Sequence, residues 1–146
     1  MALAMAYGSE HIYGLLPCVL CIYQRIPYFM VIILAVIANF TNHIIASLLI
    51  ILCGLTLLIG AGIAAYHVGV EHGKFQMTEG CTDTSPDNVT TIEQLRNTIV
   101  GTPAAPCDKP ALMFIGLSMA GWNAILSIFF GSLSTMIGIE SIRRKD

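Results

Sequence analysis

The stretch Pro17-Cys-Val-Leu-Cys-Ile-Tyr-Gln-Arg25 places two thiols three residues apart at the edge of a long uncharged segment. After Arg25 the chain contains no Asp, Glu, Lys or Arg until Glu71. A helix that crosses a bilayer needs about 20 mostly apolar residues, so 26–70 predicts two spans and 111–139 predicts a third. The chain is therefore predicted to be an all-α membrane protein.

The composition supports this class. The 146 residues are 55% hydrophobic and 11% charged, whereas soluble domains contain about 25% charged residues. A net charge of −2, with no basic run before 143–145, gives no indication of nucleic-acid binding. The partner that the composition indicates is membrane lipid.

The predicted organisation is a single membrane domain, a four-helix transmembrane bundle whose first span is truncated. Residues 26–40 are too few to cross the hydrocarbon core, so this helix must begin near Pro17. Pro27 lacks a backbone donor and predicts a kink one turn later. The predicted segments are a remnant of the first span at 1–16, spans at about 18–40, 44–67 and 111–139, an outer loop at 68–110 and a tail at 140–146.

Basic residues concentrate on the cytoplasmic side of membrane proteins. The basic run at 143–145 therefore places the tail in the cytoplasm. Counting back through the spans puts the loop 68–110 and the Cys-x-x-Cys motif together on the other side. All four cysteines outside the middle of the spans then share that non-cytoplasmic side, where disulfides persist.

The long loop contains one predicted helix. Thr90 and Glu93 form a capping box, and Ile92, Leu95 and Ile99 fall on one face. We expect this short amphipathic helix to lie on the membrane surface.

The Cys-x-x-Cys spacing suits two thiols that open and close a disulfide. At a helix N-terminus the free N–H groups and the dipole favour the thiolate, and Arg25 adds a cation four residues after Cys21. A redox-active dithiol, half of a metal site and an inert disulfide remain open. The metal interpretation is the weakest, because structural zinc sites usually bring two closely spaced ligand pairs.

The other polar positions have simpler interpretations. A Cys81–Cys107 disulfide would staple the loop or serve thiol exchange. Cys53 is interpreted as a buried apolar thiol and His67 as a headgroup-region residue. Asn123 is interpreted either as an interhelical hydrogen-bonding residue or as part of a cofactor lining.

These residues together resemble the disulfide bond formation protein B (DsbB) family of bacterial inner-membrane thiol oxidases. The resemblance is carried by the Pro17–Arg25 stretch, by Glu71-His72-x-x-x-Gln76, and by Cys81 and Cys107 within an outer loop. It covers nearly the whole chain. The sequence departs from the family pattern at its N-terminus, where the family's first transmembrane helix is expected.

The resemblance implies a mechanism. A periplasmic DsbA-like thioredoxin-fold oxidase, left as a dithiol, attacks the Cys81–Cys107 disulfide at Cys81. Cys107 then exchanges with Cys18, and Cys21 passes the electrons to a bound quinone, ubiquinone or menaquinone. Arg25 and His72 are the quinone-binding residues that it implies, and no metal is involved.

Two alternatives remain at this stage. One is a quinone reductase of the vitamin K epoxide reductase type, although the separate outer pair and the Tyr-Gln-Arg after Cys21 favour DsbB. The other is a non-catalytic membrane scaffold stapled by disulfides. Thiol trapping after mild reduction distinguishes a scaffold, whose disulfide resists reduction, from a pair that cycles.

Overall fold

The computed structural model describes residues 2–14, 17–76, 81, 92, 107–110 and 112–144. The elements in chain order are α1 (Ala2–Tyr13), α2 (Val19–Tyr23), α3 (Arg25–Ala38), α4 (His43–Glu71), β1 (Met113–Phe114), β2 (Leu117–Ser118) and α5 (Met119–Arg143). The two strands pair as an antiparallel hairpin.

Three segments of this part of the chain are long and apolar enough to cross a membrane: Val19–Ala38, His43–Glu71 and Met119–Arg143. The predicted helical class is confirmed, with three candidate spans, and the four-helix bundle stays a prediction. Helix α1 has 12 residues, which corresponds to roughly 18 Å, less than a hydrocarbon core of about 30 Å. Of the amphipathic helix predicted between Thr90 and Ile99, the structure describes Ile92, which is helical and exposed, and the helix as a whole stays a prediction.

The first candidate span begins at the cysteine motif and is interrupted within it. Cys18 is the N-cap of α2, and its sulfur accepts a hydrogen bond from the Cys21 amide. Helix α2 ends at Tyr23, and α3 starts after Gln24, with Pro27 buried in its first turn. The predicted kink is present here, where proline cannot donate to the carbonyl four residues earlier. The interruption leaves the Gln24 side chain buried.

Two span boundaries differ from the prediction. Helix α4 continues to Glu71 rather than ending near 67, which places the glutamate on the helix. The last span starts at Met119 rather than 111, because 113–118 form the hairpin. Ile115 and Gly116 have positive φ angles of 53° and 77°, as a tight hairpin turn requires, and Ser118 then caps α5 by accepting from the Gly121 amide.

Helices α4 and α5 approach closely through small residues. A Cβ atom added at Gly54 would lie 2.7 Å from the carbonyl oxygen of Gly131 and 2.8 Å from the amide nitrogen of Thr135. Gly138 makes a similar close approach to the backbone of Ser47. Small residues permit this proximity between membrane helices, while large apolar side chains such as Ile33, Phe129 and Met136 stay exposed on the outside.

The glycine contact predicts a stability difference between two matched variants. Gly54→Ala should lower the free energy of unfolding by about 1–3 kcal/mol, because its methyl group meets backbone atoms of α5 that cannot rotate away. Gly62→Ala, on the same helix with open space around its Cβ position, should be neutral or stabilise by up to about 1 kcal/mol. Thermal unfolding in detergent micelles measures both, and equal effects would contradict this packing.

Candidate functional site

The site is built around Cys18 and Cys21. Their sulfur atoms lie 2.6 Å apart as free thiols, and the Cys21 backbone N–H donates to the Cys18 sulfur at 3.2 Å. This contact exists because Cys18 occupies the N-cap, where the first amides of a helix lack carbonyl partners. Cys18 is 4% exposed and Cys21 is half-buried.

The second cysteine pair lies against the first. Cys81 and Cys107 form a disulfide, and Cys107 shares a buried apolar cluster with Cys18, Leu20 and Val70, against which Cys21 and Cys81 also pack. All four cysteines that the sequence singled out therefore meet in one place. Cys53 is the other free cysteine of the described part of the chain, buried in the middle of α4 as predicted.

His67 approaches Cys18 from α4. Its Nε2 atom lies 3.6 Å from the Cys18 sulfur and 3.9 Å from Oε1 of Glu71, and its ring is buried. The ring therefore packs inside the protein beside the dithiol, which its interpretation as a headgroup-region residue did not anticipate. An i,i+4 pair of ionisable residues at the end of an apolar span was the available signal, but it could not show which neighbour His67 faces.

A chain of buried polar side chains continues from His67 across the bundle. Gln24 contacts His67 Nδ1 at 2.7 Å, Asn123 donates to Gln24 Oε1 at 2.5 Å, and the Tyr28 hydroxyl donates to Asn123 Oδ1. Ser127 donates to the same Asn123 oxygen at 3.2 Å. The predicted interhelical hydrogen bonding of Asn123 is present, and it links three spans to the dithiol.

Arg25 and His72, the predicted quinone-binding residues, have different surroundings. Arg25 pairs with Glu10 at 3.0 Å and stacks over the Tyr7 ring, whereas its Nε is buried without a hydrogen-bond partner in the described part of the chain. His72 is exposed, and its ring Nδ1 contacts the Val68 carbonyl of its own helix at 2.8 Å. The structure thus brings the four cysteines together but gives His72 no contact with them.

An apolar groove runs beside the motif. It has a volume of about 710 Å³ and extends from Leu20 and Tyr23 between α3 and α4 to Ile59 and Tyr66. Apart from Thr56 and the two tyrosines, its lining residues are apolar. Such a groove fits a ligand that dissolves in the membrane.

The Cys18 thiol lies just before the candidate span and has a perturbed acidity. The hydrogen bond from the Cys21 thiol lowers the pKa of Cys18 from 9.0 to about 4; the His67 contact and the Cys21 amide act in the same direction, against burial, which raises it. Cys18 is thus a thiolate near neutral pH. A thiolate is the reactive form of cysteine in exchange chemistry.

Comparison with known proteins gives a consistent result. A family model described as disulfide bond formation protein DsbB matches residues 1–137. An uncharacterized protein of Rickettsia prowazekii (strain Madrid E) is 32% identical over 130 residues, 88% of this chain and 74% of the relative. Disulfide bond formation protein B of Xylella fastidiosa (strain Temecula1) is 33% identical over 140 residues, 90% and 79% of the two chains. The protein of the same name from Herminiimonas arsenicoxydans is 26% identical over 133 residues, 86% and 78%. No solved structure gives a significant match.

The lowered pKa of Cys18 predicts a titration step at acidic pH. In the reduced chain, Cys18 should be a thiolate above pH of about 4 and protonated below it, because a lowered pKa moves the loss of charge to lower pH. Ultraviolet absorbance of the thiolate in detergent micelles measures this step, and Cys18→Ser should remove it. A step near the ordinary value of 9.0 would contradict the geometry.

Proposed function

Because the chain belongs to the disulfide bond formation protein DsbB family, we propose that it is a protein-disulfide:quinone oxidoreductase. As a member, it is a disulfide-forming oxidoreductase of a membrane. The proposal adds that it reoxidises a periplasmic DsbA-like thioredoxin-fold oxidase in the bacterial inner membrane, with both cysteine pairs on the periplasmic side. The packing of the Cys81–Cys107 disulfide against Cys18 carries this proposal.

Burial supports Cys81 as the point where an external thiol enters. Cys18 is 4% exposed and Cys107 is 0% exposed, so the sulfur of a folded partner has little access to either. Cys81 is half-buried. Thiol exchange requires direct attack of a thiolate on a disulfide sulfur, and Cys81 is the more accessible sulfur of the disulfide.

The proposed relay consists of two successive thiol–disulfide exchanges. The partner's two thiols reduce the Cys81–Cys107 disulfide, and the partner leaves with a new disulfide. The Cys107 thiolate next attacks a Cys18–Cys21 disulfide at Cys18; Cys21 leaves, and Cys81 closes the outer disulfide again while Cys18 departs. The products are the outer disulfide, Cys81–Cys107, and the inner dithiol, Cys18 and Cys21. The structure contains this combination.

Quinone is the cofactor that the family implies, and the residues present fit it. The apolar groove beside Leu20 and Tyr23 suits a lipid-soluble molecule. The Arg25 Nε, which has no hydrogen-bond partner among the described residues, is a buried donor for a carbonyl oxygen. We propose that Arg25, with His72 assisting, holds the quinone near Cys21. When bound, a quinone supplies a two-electron acceptor for the inner dithiol.

The relay predicts which cysteines are essential. Cys18→Ser or Cys21→Ser should abolish quinone reduction by a reduced thioredoxin-fold partner, because neither variant can form the inner disulfide. Cys53→Ala, which removes a thiol outside the cluster, should retain turnover. Absorbance of a short-chain quinone with purified chain in detergent measures this, and undiminished turnover in either serine variant would refute the relay.

Substitution of Arg25 is expected to impair quinone reduction and to leave thiol exchange with the partner intact. Arg25→Ala should raise the quinone KM about ten- to a hundredfold, the range for loss of a hydrogen bond from a charged group, while exchange at Cys81 with the partner survives. Trapping the mixed disulfide with a single-thiol partner measures the exchange. Equal loss of both reactions would assign Arg25 to folding, through its contacts with Glu10 and Tyr7.

A further inference from the structure

His67 is buried beside a reacting sulfur, yet the relay described above does not use it. Two groups lie near its Nε2 atom: the Cys18 sulfur at 3.6 Å and the Glu71 carboxylate at 3.9 Å. The Glu71 side chain is 6% exposed, and its other oxygen has no hydrogen-bond partner within the described residues. What His67 does there depends on which ring nitrogen carries the hydrogen.

The chain of buried polar side chains determines which ring nitrogen of His67 carries the hydrogen. Asn123 Oδ1 accepts from the hydroxyls of Tyr28 and Ser127, which leaves its amide nitrogen to donate to Gln24 Oε1. With its oxygen occupied in this way, Gln24 turns its own NH₂ towards His67 Nδ1 at 2.7 Å. An amide nitrogen only donates, so Nδ1 accepts. The hydrogen of a neutral ring is therefore on Nε2, which faces Cys18.

We propose that His67 is a further catalytic residue, whose Nε2–H donates a hydrogen bond to the Cys18 sulfur and stabilises its thiolate. Gln24 and Asn123 are positioning residues, since they fix the ring orientation without touching the sulfur. The proposal rests on the thiol exchange at Cys18 proposed above. It requires no proton transfer by His67, because Nδ1 is already occupied as an acceptor.

The same geometry argues against a metal ion at this point. The ligand atoms of Cys18, Cys21 and His67 lie within 4.8 Å of one another, a spacing that a metal ion would accept. Coordination through Nε2, however, requires a free lone pair on that nitrogen. The hydrogen-bond direction imposed by Gln24 places a hydrogen there instead, so His67 meets the sulfur as a donor.

The other charged and titratable groups near Cys18 are few in the described part of the chain. Cys21 belongs to the same helix and gives it a hydrogen bond, and Arg25 follows one turn later with its charge paired to Glu10. On α4, Oε1 of Glu71 lies 3.9 Å from Nε2, too far for a hydrogen bond, and a carboxylate charge there opposes a thiolate. Among the described residues, His67 is the one side chain that donates to Cys18 from outside its own helix.

The test is a thiolate titration of the reduced full-length chain, which needs neither partner nor quinone. His67→Ala should raise the midpoint of the Cys18 step by about one to two pH units, the range expected for loss of a charge-assisted hydrogen bond. His67→Gln, whose amide donates, should recover part of the shift. Asn123→Ala should give a smaller rise, because the ring is kept but loses its orientation.

The matched control is His43→Gln, at the opposite end of the same helix, where His43 contacts Ser141. It should leave the midpoint unchanged. An unchanged midpoint in His67→Ala, or equal shifts in His67→Ala and His43→Gln, would overturn the proposal. Loss of turnover in the cysteine variants is a separate outcome, so failure of the relay and failure of this proposal are distinguishable.

A second measurement reads the His67 ring in the unsubstituted chain and uses a variant only to assign its signals. Nitrogen-15 NMR of the histidine rings reports which nitrogen is protonated, and the His67 signals are assigned as those missing from His67→Gln. We expect the neutral ring to carry its hydrogen on Nε2 and to have a bare Nδ1. The opposite tautomer would overturn the proposal whatever the thiolate titrations of the variants give.

Discussion

A polar side chain buried in an apolar bundle must find a hydrogen-bond partner, because leaving it unpaired costs several kcal/mol. In this protein that requirement is met by one connected chain. Tyr28 and Ser127 satisfy Asn123, Asn123 satisfies Gln24, and Gln24 satisfies His67. Since these residues come from three different spans, rotating any one of the helices would leave several groups unpaired. The chain ends at the Cys18 sulfur, so the constraint that aligns the spans also positions the dithiol.

In the proposed relay, burial of the inner pair (Cys18 and Cys21) explains why a second pair is needed. A thiol that exchanges electrons with a molecule in the lipid has to lie at the edge of a span, and the apolar groove begins there at Leu20. The same location keeps Cys18 away from a folded protein in the aqueous phase. Cys81 of the disulfide is half-buried and Cys107 belongs to the same buried cluster as Cys18, so in this proposal the disulfide connects the partner to the inner pair.

The sequence predicted the class, three spans, the helix start at the motif and the kink near Pro27, because long apolar runs and proline act locally. It missed the hairpin before Met119, since Met, Phe, Ile and Leu suit a strand as well as a span and the turn depends on the backbone of Ile115. It also missed His67 and Gln24. Their roles depend on which side chains face each other across helices, information that one sequence's spacing does not contain.

The surroundings of Cys18 also favour one direction of exchange. In a Cys107–Cys18 mixed disulfide, attack by Cys81 on Cys107 expels Cys18, and a thiol with a lower pKa leaves faster. The helix N-terminus and the contacts with Cys21 and His67 all stabilise the departing thiolate. Closing the outer disulfide is thereby favoured over reopening it. Electrons then accumulate on the inner pair, next to the groove, so hydrogen bonds at one sulfur give the proposed relay its inward direction.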